Sequence, residues 1–256
     1  PGHTVDFSAI EEALKTNDYK LMTFTHVDTS TAVRLDPKPI GELGRKYNVL
    51  TILDGVCSIA GEEMRQQEWG IDVALTASQK AVGVPPGLAL LVASPKAMDT
   101  WKNRKTPVGN YYCDWSNWLP IMQAYEEGRP SYFGTPAVNL VAALEVSLKM
   151  ILDEGMEERV VRHAILAKEF RQKIRYLGFQ LMPVNEESSA NTLSAIYFPE
   201  TIIAGEFMAG MAKSDVIVAP GLLPDLKSKY FRVGHMGSVN RSDIVSVLAA
   251  IEKTLS

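Results

Sequence analysis

The chain has 256 residues, enough for one or two domains with a sizeable core, and its 46% hydrophobic and 22% charged residues are ordinary for a globular protein. Its 26 basic and 30 acidic side chains leave a formal net charge of −4, which argues against general nucleic-acid binding. No apolar run approaches the ~20 residues that span a bilayer, and only two cysteines, Cys57 and Cys113, exclude a disulfide framework and fit a reducing, intracellular compartment.

Residues 5–95 alternate between helix-like and strand-like segments. Amphipathic helices are predicted at 7–16 and 38–48, because apolar residues recur on one face of each. Apolar, strand-like segments are found at 21–27, 49–54, 72–76 and 87–93. Strands that alternate with helices predict an α/β fold with a mostly parallel sheet and helices on its faces. In such sheets ligands collect at the carboxyl ends of the strands.

Charged and polar residues follow the ends of three predicted strands. Asp54 ends the second strand, Lys80 follows the third, and the polar loop 29–31 follows the first. Lys80 lies between small polar residues and an apolar stretch that Pro85-Pro86-Gly87 forces out of regular structure. An amine held there loses hydration, so its neutral, nucleophilic form becomes accessible, as a Schiff-base lysine requires. The alternative is an ordinary, solvated surface lysine.

Residues 96–136 interrupt the alternation with many aromatic residues, prolines and glycines. They form either an aromatic-rich core segment or a connection that crosses to a binding site or subunit interface. After two long helices, a smaller α+β unit is predicted from residue 179, with strands at 192–198, 216–219 and 230–234 and helices at 203–213 and 242–255. We therefore predict the remainder of a large domain over residues 1–150, including the crossing 96–136, and a linking helix with a small C-terminal domain over residues 151–256.

One reaction chemistry would explain the residue types at positions 54, 80 and 232, which are Asp54, Lys80 and Arg232. An acid and a lysine on neighbouring crossovers fit pyridoxal 5′-phosphate, because the acid keeps the pyridine nitrogen protonated and the lysine forms a Schiff base with the aldehyde. For this role we expect the Asp54 carboxylate to be buried. Arg232 lies mid-strand between Phe231 and Val233, where a guanidinium can bind a substrate carboxylate through two hydrogen bonds. The alternatives are a capping or turn role for Asp54 and a salt bridge for Arg232. The four histidines lack metal-ligand spacing with the cysteines, so no metal site is expected.

Four motifs follow one another in the order of a known enzyme family. They are THVDTSTAV at 25–33, DGVCS at 54–58, SQK at 78–80 with PPG at 85–87, and RVGHMG at 232–237. Together they resemble the alanine–glyoxylate / serine–pyruvate aminotransferases, which are class-V, fold-type I pyridoxal-phosphate enzymes. The resemblance implies a mostly parallel sheet with helices on both faces and a small C-terminal α+β domain. Ala32 stands where a glycine is common in this family, and we expect the alanine to be tolerated.

By this resemblance, five residues would hold the cofactor. Lys80 would carry it as a Schiff base and act as the catalytic general base, and Asp54 would pair with the protonated pyridine nitrogen. Val56 would pack on a face of the ring. Ser30 would lie near the ring substituents and Gln79 near the phosphate.

The resemblance also implies a homodimer with shared sites. Tyr132 and Thr135 would reach the phosphate of the partner subunit's cofactor, and Arg232 would bind the α-carboxylate of the substrate. In that family, the glycine-rich turn that cups the phosphate and the aromatic residue that stacks on the ring precede the region that resembles this sequence. We therefore expect an additional N-terminal segment, covalently continuous or cleaved, to complete the site.

The expected reaction is transamination of L-alanine, or L-serine, with glyoxylate; from alanine it gives pyruvate and glycine, a step of glyoxylate metabolism and glycine biosynthesis. Phosphoserine aminotransferases, 2-aminoethylphosphonate aminotransferases and cysteine desulfurases are alternatives within the fold. A desulfurase would need a mobile cysteine, for which Cys113 is the candidate. A non-catalytic fragment or partner of such an oligomer is the alternative from another class. Since no C-terminal SKL-type signal is present, cytoplasm or mitochondrion is expected.

Overall fold

The computed structural model describes residues 1–256 and contains two four-stranded sheets. The helices are α1 (Phe7–Thr16), α2 (Pro37–Lys46), α3 (Gln66–Trp69), α4 (Pro95–Lys102), α5 (Trp115–Glu126), α6 (Val138–Glu154), α7 (Met156–Tyr176), α8 (Ala204–Lys213) and α9 (Arg241–Leu255). The strands are β1 (Leu21–Thr25), β2 (Leu50–Asp54), β3 (Val73–Ala77), β4 (Ala89–Ala93), β5 (Gln180–Leu181), β6 (Leu193–Tyr197), β7 (Ala219–Pro220) and β8 (Tyr230–Gly234). None of the helices combines the length and apolar character needed to cross a membrane.

The first sheet has the strand order β1-β2-β3-β4. Its first three strands are parallel, and β4 pairs with β3 in the antiparallel direction. Thr25 pairs with Asp54, and Asp54 pairs with Leu75, so the carboxyl ends of the three parallel strands meet at one edge. The mostly parallel sheet predicted from the alternating pattern is confirmed.

Side-chain caps determine where several helices begin. Asp36 accepts a hydrogen bond from the backbone of Lys38 at 3.0 Å, and Pro37 occupies the first helical position of α2. Helix α2 therefore starts just beyond the loop that follows β1 and returns the chain to the edge where β2 begins. Asn240 and Asp243 form a capping box at the start of α9.

The second sheet has the order β5-β6-β8-β7, and all its pairs are antiparallel. Helices α7, α8 and α9 cover one face of this sheet and build the largest core cluster with it. The three helices and the central strands β6 and β8 each contribute a fully buried side chain to this cluster. These side chains are Phe170, Ile196, Met211, Phe231 and Ile251. The small α+β unit predicted at the C-terminal end is confirmed.

The other face of the second sheet packs on loops of the first sheet. This second core cluster contains Val27, Ala32, Cys57, Met182, Ala190, Leu193, Ala195 and Tyr230. Beside it, the buried carboxylate of Glu62 accepts hydrogen bonds from the backbone N–H of Asn191 and from its Nδ2 at 2.8 Å, and pairs with Arg34 at 3.2 Å. Burial raises the pKa of the Glu62 carboxyl group. The two sheets therefore share one buried joint.

The structure differs from the predicted elements in several places, including the short α3 and β5, which were not predicted. The predicted strand at 216–219 is wrong, because only Ala219–Pro220 pairs with β8 and Ile217 is 94% exposed. Residues 96–136 contain most of α4 and all of α5, which were not predicted from this aromatic and proline-rich composition; α5 includes Pro120. The predicted domain boundary at residue 150 lies inside α6, and the division into 1–150 and 151–256 stays a prediction.

Candidate active site at the carboxyl edge of the first sheet

Lys80 lies in a loop whose backbone is held by many hydrogen bonds. The hydroxyl of Ser78 donates to the carbonyl of Pro85 at 2.8 Å and accepts from the N–H of Leu88 at 3.2 Å. The N–H of Val84 donates to the carbonyl of Ser78 at 2.9 Å and closes the loop. Lys80 itself is half-buried, and its amine forms no ion pair or hydrogen bond within the chain. A fixed backbone thus presents a free amine just past the end of β3.

Asp54 ends β2 at the same edge, but the expectation that it is buried is wrong. Its carboxylate is exposed, because no residue of this chain covers that end of the strand. One oxygen accepts the N–H of Val56 at 3.0 Å, which is the turn role considered as the alternative. Since β2 and β3 are parallel neighbours, the structure nevertheless brings Asp54 and Lys80 to one edge of the sheet.

The loop after β1 carries Ser30 and is ordered by its own acid. Asp28 accepts the N–H groups of Ser30 at 2.6 Å and of Thr31 at 2.8 Å. Ala32 has a φ of 58°, the left-handed conformation that favours glycine, and it is buried. Its conformation explains why a glycine suits this position, and its N–H reaches the carbonyl of Asp28 at 2.8 Å. Ser30 is half-buried at the top of this loop.

Arg232 reaches from the second sheet to this loop. Its Nε donates to the carbonyl of Pro220 at 3.0 Å and its Nη1 donates to the carbonyl of Thr29 at 3.2 Å. No carboxylate of the chain pairs with it within 4.0 Å, so the salt bridge considered as the alternative is absent. The structure therefore places an uncompensated guanidinium beside the loop of Ser30.

The side chains of the remaining candidate residues make no hydrogen bonds with Lys80, Asp54, Ser30 or Arg232. Val56 is half-buried and packs against the second core cluster, while Gln79 is exposed and its side chain makes no hydrogen bond. Tyr132, 71% exposed, and Thr135, also exposed, make no hydrogen bond with the other candidates. In the same segment, edge-to-face and tilted aromatic contacts join Tyr111, Tyr112, Trp118 and Phe133. Tyr111, Tyr112 and Tyr132 are thus exposed, whereas Ile121 and Ala124 of α5 are buried.

Three buried polar atoms near this edge lack a hydrogen-bond partner, and sequence reasoning missed them. They are Nδ1 of His26, Oγ of Ser58 and Oγ1 of Thr76, from positions at or near the carboxyl ends of β1, β2 and β3. Burial, and secondarily the charge of Arg34, lowers the pKa of His26 from 6.5 to about 4. Unsatisfied buried polar atoms are few in folded proteins and concentrate where a site has a function. Their place at or near strand ends was the signal available in the sequence.

The donor set of this edge fits pyridoxal phosphate. The cofactor requires an unpaired amine, an acid for its ring nitrogen and cationic or N–H donors for anionic groups. The free amine of Lys80 and the second carboxylate oxygen of Asp54, which makes no hydrogen bond, supply the first two at one edge. The guanidinium of Arg232 adds a cation for a carboxylate.

Comparison with known proteins gives a consistent family. The family model described as "Aminotransferase class-V" matches residues 1–221. The chain is 39% identical over 243 residues to alanine–glyoxylate aminotransferase 1 of Saccharomyces cerevisiae, covering 92% of this chain and 62% of that protein. It is 35% identical over 240 residues to serine–glyoxylate aminotransferase of Arabidopsis thaliana, covering 92% of this chain and 58% of that protein.

A solved structure agrees with these relatives. The alanine–glyoxylate aminotransferase of Nostoc sp. superimposes with a TM-score of 0.91 at 27% identity, over 100% of this chain and 67% of that one. The chain thus spans about three fifths of the length of the two curated relatives. The chain belongs to the class-V aminotransferases and has the α/β fold of the fold-type I enzymes in that family.

Proposed function

We propose that this protein uses pyridoxal phosphate to transfer the amino group of L-alanine, with L-serine as the alternative donor, to glyoxylate. With alanine the products are pyruvate and glycine. The observation that carries the proposal is the unpaired, half-buried amine of Lys80 at the same sheet edge as the Asp54 carboxylate. The two curated relatives differ in their named donor but share glyoxylate, which supports glyoxylate as the acceptor.

Each residue of the edge has a role in this chemistry. When bound, pyridoxal phosphate supplies an electron sink that stabilises negative charge at the substrate Cα. Lys80 would hold the cofactor covalently, and its released neutral amine would take the proton from the substrate Cα. Asp54 would accept a hydrogen bond from the protonated ring nitrogen. Val56 would contact the ring face, while Ser30 and Gln79 would contact the ring substituents and the phosphate.

Arg232 would orient the substrate through its carboxylate. Two of its nitrogen atoms are held by the carbonyls of Pro220 and Thr29, which fixes the plane of the guanidinium before substrate binds. Glyoxylate has no side chain, so the acceptor can be selected by excluding bulk. Steric exclusion is the effective route, because affinity for one methyl group is worth only ~1–3 kcal/mol.

We also propose that the functional form is a homodimer in which the two subunits share each site. Tyr132 and Thr135 would contact the phosphate bound by the partner subunit. The exposed aromatic surface around residues 111–133 supports an interface there, since aromatic residues are enriched at the centre of interfaces. A stable symmetric interface of this kind buries on the order of 2,000 Å² or more.

The test is a half-reaction followed by a full reaction. The natural protein with pyridoxal phosphate should show a change in its visible absorbance on addition of L-alanine, reversed by glyoxylate, with glycine as product. Strong preference for 2-oxoglutarate over glyoxylate would assign a different branch of the fold. Turnover of phosphoserine or of 2-aminoethylphosphonate, or release of sulfide from cysteine, would identify the corresponding alternative. A protein that retains no cofactor absorbance would be a non-catalytic partner.

A further inference from the structure

An ion cluster built around one buried arginine lies where α6 ends and α7 begins, next to the loop that carries Lys80 (residues 78–84, the lysine loop). We name Glu154, Arg159 and Arg162 the arginine cluster. Glu154 accepts Nη1 of Arg159 and Nε of Arg162, each at 2.5 Å. The side chain of Arg159 is only 4% exposed, and the hydrogen bonds from the arginines lower the pKa of Glu154. The charge of Arg159 is thus balanced inside the protein.

Arg159 joins the two loops that carry the proposed catalytic groups. Its Nε donates to the carbonyl of Ala60 at 2.8 Å, and its Nη2 donates to the carbonyl of Ala81 at 2.8 Å. Ala60 lies in the turn that follows Asp54, and Ala81 follows Lys80 directly. One planar guanidinium therefore fixes the distance between these two backbone carbonyls.

Arg162 extends the same arrangement to a third loop. It donates to the carbonyls of Val239 at 2.7 Å and Gly237 at 2.9 Å. The loop at Gly237 lies against the lysine loop, because a Cβ added there would come within 3.8 Å of the carbonyl oxygen of Lys80. The arginine cluster therefore contacts the lysine loop directly, through Arg159, and indirectly, through Arg162 and the loop at Gly237.

The geometry is not that of a ligand site. A cavity of about 400 Å³ lies beside the arginine cluster. However, all three guanidinium nitrogens of Arg159 and of Arg162 already donate to Glu154 or to backbone carbonyls. The polar contacts of both arginines in this structure are therefore to Glu154 and to the backbone of the loops.

We infer that Arg159 is a positioning residue, which fixes the turn after Asp54 and the loop of Lys80 at one spacing and so holds the amine against the cofactor. The inference rests on the proposed function for the roles of Asp54 and Lys80. Only arginine suits this position, because a rigid fork reaches Glu154 and both carbonyls at once, whereas a lysine ammonium is a single point charge.

The test compares Arg159→Lys with Arg171→Lys in the natural protein. Arg171 is a matched control: it is on the same helix, 5% exposed and paired with Glu186, but it contacts neither loop. The first readout is the rate at which added pyridoxal phosphate becomes fixed to Lys80, measured by borohydride quenching and peptide mass spectrometry. We expect Arg159→Lys to slow this rate and to lower kcat by about ten-fold or more, with little change in KM. Arg171→Lys should change both by less than about two-fold.

The second readout does not depend on the cofactor. The amides of Gly83 and Val84 donate within the lysine loop, at 2.9 Å each, and should exchange with deuterium faster in Arg159→Lys but not in Arg171→Lys. If Arg159→Lys does not fold, Glu154→Gln should produce the same pattern more weakly. Equal effects of the two arginine variants at equal loss of thermal stability would overturn the inference. If the natural protein never attaches the cofactor to Lys80, the proposed function fails; unchanged exchange in Arg159→Lys would then refute the positioning role independently.

Discussion

Acid should destabilise this protein through His163, whose hydrogen bonds require its neutral form. Its Nδ1 lies 2.7 Å from the carbonyl of Arg159, which can only accept, and its Nε2 lies 3.0 Å from the N–H of Gly237, which can only donate. The ring must therefore carry its hydrogen on Nδ1. Protonation of Nε2 would place its N–H group directly opposite the N–H group of Gly237, so the buried hydrogen bond between them would be lost.

The magnitude follows from the change in pKa. Burial, and secondarily the charges of the two neighbouring arginines, lowers the pKa of His163 from 6.5 to about 4, against the opposing effect of its hydrogen bond to Arg159. The folded form binds the proton of His163 more weakly than the unfolded chain does. The contribution of neutral His163 to the free energy of unfolding is therefore complete above about pH 6.5. It is lost as the pH falls towards about 4, and the loss amounts to about 3 kcal/mol.

Urea unfolding of the wild type and of His163→Gln checks this. The glutamine amide can donate to Arg159 and accept from Gly237 but does not titrate in this range. The variant should lose stability at pH 7.5, and the difference in the free energy of unfolding should shrink by up to about 3 kcal/mol by pH 4.5. His26, whose pKa is lowered by burial to about 4, is present in both proteins and cancels. A difference that stays constant from pH 7.5 to 4.5 would refute the reasoning.

Three further predictions concern the proposed reaction. Lys80→Arg should keep the charge but abolish transamination, and borohydride reduction of the wild type followed by peptide mapping should find the cofactor on Lys80; another labelled lysine would contradict the assignment. Arg232→Lys should raise KM for both alanine and glyoxylate by an amount equivalent to roughly 1.5–3 kcal/mol, so unchanged saturation would remove the carboxylate role. Tyr132→Phe in one subunit of a mixed dimer should weaken cofactor retention in the partner's site, as measured by dialysis; equal retention in both sites would count against shared sites.

The first sheet could be predicted because its signals are local. Apolar strands alternate with capped helices, and the position of Asp54 and Lys80 at one edge follows from the parallel direction alone. The burial of Asp54 could not be predicted from its apolar strand, since burial depends on what covers the strand end. Ile217 shows the same limit, because an apolar run there predicted a strand but the side chain points to solvent.

The role of Arg159 could not be predicted from its surroundings in the sequence. Its partners are the carbonyls of Ala60 and Ala81, and a backbone carbonyl has no signature in the amino-acid code. The acid that balances it, Glu154, is near in the sequence, but an acid and a base five residues apart across a helix break are common on surfaces. The two carbonyls meet at one guanidinium only because of the path that both loops take in the folded protein.

The buried joint between the two sheets has a consequence for how the protein unfolds. Side chains of the second sheet and of the loops that follow strands of the first sheet form the second core cluster, and the Glu62 carboxylate bonds to the backbone beside β6. Opening one sheet away from the other would expose this apolar surface and leave a carboxylate without its partners, so the two units should melt together as one cooperative transition. The thermodynamic unit of the protein therefore includes both sheets.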